Sequence, residues 1–154
     1  MKTPFSILLT GMPNSGKSTI AYHLVQGHLR NTFVIDGDRH RQAQFLGEQL
    51  GFEKEDIMRN NKHVVALALF AQEQGFNLLT PQIAPYLDQR QEFKVLKNHI
   101  EVYCRCPLEA RSKRDNFRDS EIVYEEGYPN LILDTNDMSI DECVKAVMKS
   151  LEKL

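Results

Sequence analysis

Short apolar runs and longer stretches of helical spacing take turns along the chain. Phe5–Leu9, Thr32–Ile35, Phe76–Thr80, Ile100–Cys104 and Leu131–Leu133 are compact runs dominated by apolar side chains. Runs of that length suit parallel strands buried on both faces. Between them, Thr19–Leu29, Arg39–Leu50 and Lys54–Gln74 read as helices, the second stopped at Gly51 and the third closed by Gly75. The last element has the clearest pattern. Ile140, Cys143, Val144, Val147, Met148 and Leu151 fall on one helical stripe, with Ser139 and Glu142 spaced as a capping box at its start. No repeat, low-complexity tract or linker interrupts the alternation. The expectation is a single α/β domain over residues 1–154, an open, mainly parallel five-stranded sheet with helices on both faces. Its active crevice should lie at the carboxyl ends of the strands.

The first strand runs into Gly11-Met12-Pro13-Asn14-Ser15-Gly16-Lys17-Ser18, which matches G-x-x-x-x-G-K-[ST]. Strand, glycine-bounded loop and helix together are the setting of a phosphate-binding loop, so the expected architecture is the P-loop NTPase fold. The glycines let backbone N–H groups converge on phosphate oxygens, and the helix turns its positive end to the same anion. Lys17 should reach the β- and γ-phosphates and the Ser18 hydroxyl should meet Mg2+. Asn14, Ser15, Gly16 and Thr19 complete the expected ATP site, and ATP and Mg2+ are the expected cofactors.

Composition narrows the partners. Hydrophobic residues make up 42 % of the chain and charged residues 26 %, an ordinary globular balance. A formal net charge of −2 argues against a general nucleic-acid surface, although Arg39-His40-Arg41 and Arg111–Arg118 are local basic clusters. Those clusters read either as solvated helix faces or as an anion pocket. No run is long enough to span a bilayer. The short apolar N-terminus weakly resembles a signal peptide, but it feeds the phosphate loop, so a cytoplasmic location is expected. Cys104, Cys106 and Cys143 lack metal or disulfide spacing and are expected as buried free thiols. The five histidines show no ligand spacing, and Tyr22, Tyr86 and Tyr103 are expected to pack.

The second strand ends at Asp36-Gly37-Asp38. Asp-Gly-Asp is good turn chemistry by itself. Beside a bound Mg-nucleotide, one carboxylate can also serve the metal while the other accepts the proton of an attacking hydroxyl.

From residue 5 to about 115, and again from 131 to 147, the chain resembles the adenylylsulfate kinases. The carrying segments are Asp36-Gly37-Asp38-Arg39-His40-Arg41, Leu50-Gly51-Phe52, Asn60, Ile83-Ala84-Pro85-Tyr86 with Arg90, Cys106-Pro107-Leu108-Glu109, Arg114-Asp115, Leu133-Asp134-Thr135 and Asp141-Glu142-Cys143-Val144. The resemblance implies transfer of the ATP γ-phosphate to the 3′-hydroxyl of adenylyl sulfate. It implies that Arg41 and Asn60 grip the acceptor, Phe52 stacks on its base, and Ile83 lines its site. It makes Lys17, Asp36 and Asp38 the catalytic set, with Asp38 the base or orienting group and Asp36 beside the metal with Ser18. Arg114 joins the ATP site. Members of the family are often dimeric, which leaves a homodimer open.

Four departures fall on the acceptor side. Arg39 replaces the family asparagine, Ile57 stands where an arginine is usual, and Ala84 replaces a serine. Only residues 116–130 take the place of a long lid that carries a lysine and a phenylalanine. The loss of a lid should loosen water exclusion. Three readings therefore stand beside one another: a kinase of adenylyl sulfate, the same chemistry on another nucleotide such as cytidine diphosphoramidate, and a non-catalytic, nucleotide-gated regulatory protein. A small-metabolite kinase for a sugar-like alcohol also fits the length but leaves Phe52 and the collinear motifs without a task.

Overall fold

The computed structural model describes residues 3–43, 50–115, 117 and 120–154. Five strands form one parallel sheet: β1 Ser6–Thr10, β2 Thr32–Val34, β3 Asn77–Pro81, β4 His99–Arg105 and β5 Leu131–Asp134. Their spatial order is β2-β3-β1-β4-β5, which puts β1 at the centre between β3 and β4. The helices are α1 Lys17–Gly27, α2 Gly37–Gln42, α3 Lys54–Glu73, α4 Leu87–Glu92, α5 Leu108–Arg111 and α6 Ile140–Leu151, with a 3-10 turn over Phe93–Val95.

The period of two along β1 assigns its side chains to opposite cores. Ile7 and Leu9 pack with Ile20, Leu24, Cys104 and Val147 under α1 and α6. Leu8 packs with Val64, Ala68, Leu78 and Phe93 under α3. Both faces of the sheet are thus covered at its centre, whereas the edge strand β2, expected to be buried, leaves Phe33 40 % and Val34 42 % exposed. The expected capping box forms: Ser139 Oγ accepts from Glu142 N at 3.2 Å, and Ser139 N donates to Glu142 Oε2 at 2.7 Å. All three cysteines are buried free thiols.

Several boundaries shift. The helix after the phosphate loop starts at Lys17, two residues before the expected Thr19. The expected helix Arg39–Leu50 begins at Gly37, because Asp36 Oδ1 caps it by accepting from Asp38 N and Arg39 N, each at 3.0 Å. Its described part ends at Gln42, and residues 44–49 lie outside the described residues. Tyr22 does not pack in the core; it is 63 % exposed on α1. Among the described residues no helix is long and apolar enough to cross a membrane.

Candidate active site

The loop after β1 folds around two close approaches. Gly11 has φ +148°, and a Cβ there would sit against the Cys104 carbonyl and 2.8 Å from Ser15 Oγ. Gly16, at φ +97°, caps α1 in a left-handed conformation. The segments after β4 and β5 then hold the loop from outside. Arg111 Nη1 donates to Pro13 O at 3.1 Å, Arg114 Nη1 to Asn14 O at 2.8 Å, and Thr135 Oγ1 to Ser15 O at 2.7 Å. Asn14 Nδ2 completes the frame by donating to Asp115 O at 2.9 Å. The basic cluster Arg111–Arg118 therefore does not form a solvated face at Arg111, which is buried and braces the loop.

Inside this frame Lys17 is almost wholly buried. Its ammonium donates to Gly11 O and Met12 O, both at 2.7 Å, and to Ser15 Oγ at 3.3 Å. Burial pushes its pKa down to about 8, although nearby Asp38 and Asp36 pull the other way. The loop carbonyls thus hold the cation where phosphate oxygens can take it over. Beside it, burial pushes the Cys104 thiol up to about 12, which leaves that sulfur inert at neutral pH.

Two cavities meet here. The larger, about 760 Å3, is lined by Asn14, Gly16, Lys17, Ser18 and Thr19 from the loop, by Asp36 and Asp38 from β2's end, and by Arg114. Ser15 lies beneath, wholly buried. The smaller is a cleft of only about 20 Å3, lined by Arg41, Phe52 and Asn60 together with Ile57, Ala84 and Ile122. Asp38 and Ile83 line both. Every residue expected in the donor and acceptor sites, Gly11 and Ser15 at the loop's base included, converges on this pair of cavities or their immediate support.

The details of the small cleft differ from a simple stacking site. Phe52 is 70 % exposed, and the Arg41 guanidinium lies over its ring at 4.4 Å from the centroid. A base entering between them would displace that cation–π contact. Asn60 is buried; its Oδ1 accepts from His40 Nδ1 at 2.6 Å and its Nδ2 reaches Gly37 O at 3.4 Å. His40 thus orients Asn60, a role its sequence position between two arginines did not suggest. Gly37 is required because a Cβ would lie 2.6 Å from Gln82 Cβ. Ala84 is held at φ +44°, an uncommon conformation for a residue with a Cβ.

Residues 120–130 are pinned to the rest of the domain by two side chains. Tyr124 stacks on Tyr103 at 4.6 Å between centroids and shares a hydrogen bond with Thr10 Oγ1 at 3.0 Å. Thr10 donates its proton to Ile83 O at 2.6 Å, so Tyr124 is the donor of that pair. Glu125 accepts from Leu87 N at 2.8 Å, and buried Arg90 ties this segment to the loop after β3 through Glu125 O and Ala84 O while pairing with Glu101 at 2.9 Å. Ile122, from the same segment, lines the small cleft.

Comparison with known proteins bears on this site as a whole. The adenylylsulphate kinase family profile matches residues 3–127. An adenylyl-sulfate kinase of Thermodesulfovibrio yellowstonii is 34 % identical, with 97 % of this chain and 85 % of the relative covered. One from Clostridium kluyveri is 31 % identical over 94 % of this chain and 82 % of its own. Among solved structures, the Mycobacterium tuberculosis APS kinase CysC in complex with AMPPNP and APS superimposes with a TM-score of 0.83 at 27 % identity, covering 99 % of each chain.

Proposed function

The chain belongs to the adenylylsulfate kinase family, and from that premise we propose that it moves the γ-phosphate of ATP to the 3′-hydroxyl of adenylyl sulfate, giving 3′-phosphoadenylyl sulfate and ADP. The observation that carries this reading is the shared wall. Asp38 lines both the phosphate-loop cavity and the cleft of Arg41, Phe52 and Asn60, so a hydroxyl held in one faces a phosphate held in the other.

The roles follow from position. The loop's backbone N–H groups and the N-terminus of α1 hold the β- and γ-phosphates, and Lys17 passes from the Gly11 and Met12 carbonyls to phosphate oxygens. Arg41 takes the phosphosulfate end, Phe52 the base, and Asn60 the sugar side. The Asp38 carboxylate accepts the hydroxyl's hydrogen bond, orients it for in-line attack and takes the proton as the new P–O bond forms. Fixing the two reactants across one carboxylate is the chief contribution of such a site.

Ser18 and Asp36 fit a magnesium ion. Both line the donor cavity, and the helix cap uses only Oδ1 of Asp36, leaving Oδ2 for a water or ion. Magnesium is typically held by one or two protein groups plus phosphates and water, and when bound it neutralises charge on the transferring group. Ile57 and Ala84 make the acceptor side less polar than the family pattern, but they leave Arg41, Asn60 and Asp38 in one place. Nothing in the site or its relatives favours the cytidine acceptor or the non-catalytic reading. Steady-state ADP release with Mg-ATP and adenylyl sulfate tests the proposal. Acceptor-dependent turnover is expected, and ADP release that ignores adenylyl sulfate contradicts it.

A further inference from the structure

Two residues that line the small cleft, Arg41 and Gln89, each carry a buried polar atom without a partner among the described residues. Gln89, on α4, is 4 % exposed, yet its Oε1 accepts no hydrogen bond among the described residues. The side-chain N–H groups of the neighbouring Gln82 and Asn61 are engaged elsewhere. Gln82 Nε2 donates to Asn61 Oδ1 at 3.0 Å, and Asn61 Nδ2 donates to the Gln89 backbone O at 3.0 Å and to Glu92 Oε2 at 2.8 Å. The Gln89 side chain stands outside that closed network and lines the acceptor cleft, among the apolar surfaces of Ile57, Pro85 and Ile122. A buried carbonyl oxygen loses its hydration and gains nothing in exchange until a donor arrives.

We propose that Gln89 is a specificity-determining residue that reads the exocyclic amino group of the acceptor's base, an inference that rests on the adenylyl-sulfate reading of this cleft. The chemistry selects the donor. Phosphosulfate offers acceptors only, so it is matched to Arg41, whose Nε is likewise buried and unpaired in the same cleft. The 3′-hydroxyl belongs to Asp38. Adenylyl sulfate then has two donors left, the 2′-hydroxyl and the 6-amino group, and Phe52 in the cleft wall brings the base there. A primary amide can take the amino N–H on its oxygen while its own N–H reaches the adjacent ring nitrogen. A site built around such a bond rejects the analogue that lacks the donor.

Steady-state kinetics and equilibrium binding with adenylyl sulfate, its inosine counterpart and its 2′-deoxy analogue test this on the wild-type protein and on Gln89→Leu. The wild type should lose roughly ten- to hundredfold in kcat/KM when the amino group becomes a carbonyl, and little on removal of the 2′-hydroxyl. Gln89→Leu should show a similar loss on adenylyl sulfate, through KM, with the KM for ATP unchanged and the preference for adenine over hypoxanthine reduced to about twofold or less. Because the wild-type comparison needs no variant, poor folding of Gln89→Leu cannot hide the answer. Equal use of the adenine and inosine acceptors overturns this proposal alone. So does a wild-type loss confined to the 2′-deoxy analogue, or a Gln89→Leu protein that keeps its adenine preference. A wild-type protein that neither binds nor phosphorylates adenylyl sulfate overturns the acceptor reading as well.

Discussion

Raising the pH should weaken ATP binding steeply, because the phosphate-loop lysine is already poised to lose its proton near the top of the neutral range. Burial lowers the Lys17 pKa from 10.5 to about 8 in the free protein. Bound phosphates would surround the ammonium with anionic oxygens and raise it again, so ATP binds the protonated form. At pH 9 only about a tenth of the free protein carries that proton, and the apparent Kd should be roughly tenfold weaker than at pH 7. Stability moves the opposite way. The folded pKa lies below the unfolded one, so the unfolded chain binds the extra proton between pH 8 and 10.5 and the free energy of unfolding, hence stability, rises across that window. The difference of 10.5 − 8 units corresponds to roughly 3 kcal/mol. Calorimetric titration with Mg-AMPPNP at several pH values, in buffers of different ionisation enthalpy, reads both Kd and proton uptake. Chemical denaturation of the wild type against Lys17→Met isolates the stability term from the other lysines. A Kd that stays flat through pH 8 and 9, with no proton uptake, would refute the assignment of this lysine to the phosphates.

Three further outcomes are expected. Asp38→Asn should abolish phosphoryl transfer while leaving the Kd for ATP within about twofold, since the substitution removes the hydroxyl's acceptor and not a phosphate ligand; near-normal turnover means the base is misassigned. Gly11→Ala should eliminate nucleotide binding and cost at least about 2 kcal/mol of stability, because the added Cβ meets the Cys104 carbonyl and Ser15 Oγ in a backbone conformation strained for alanine. Tyr124→Phe keeps the ring stacked on Tyr103 but loses the proton donated to Thr10, so stability should fall by about 1 kcal/mol and the acceptor KM should rise more than that of ATP. Denaturation and steady-state assays check the last two.

Local patterns were the legible part of this molecule. The five strands, the long third helix, the amphipathic C-terminal helix and the phosphate loop each announce themselves within one short window of sequence, and all appear in the structure. Asp36, Asp38, Arg41, Phe52 and Asn60 were reachable through collinear motifs, and their meeting in adjoining cavities agrees with the order of the sheet. What could not be read depends on contacts across long sequence separations. Tyr124 meets Thr10 across 114 residues, Arg111 braces Pro13 across 98, and Arg90 holds Glu125 across 35. An arginine destined for burial looks like any surface cation until its partners are known. The four-residue helix α5 and the six-residue helix α4 are too short to show a period, so Gln89 carried no signal at all. The length of the connection after Asp115 was visible in the sequence, while the hydrogen bonds of Tyr124 and Glu125 were not.

Phosphoryl transfer to adenylyl sulfate is tested most directly by identification of the product. The protein should be incubated with γ-labelled ATP, Mg2+ and adenylyl sulfate, and the acceptor recovered by mass spectrometry with its label located on the sugar. Label on the 3′-oxygen of intact adenylyl sulfate, lost in the Asp38→Asn protein, is the predicted result. Label released only as inorganic phosphate, or adenylyl sulfate recovered unchanged beside an ATP site that binds normally, would contradict it.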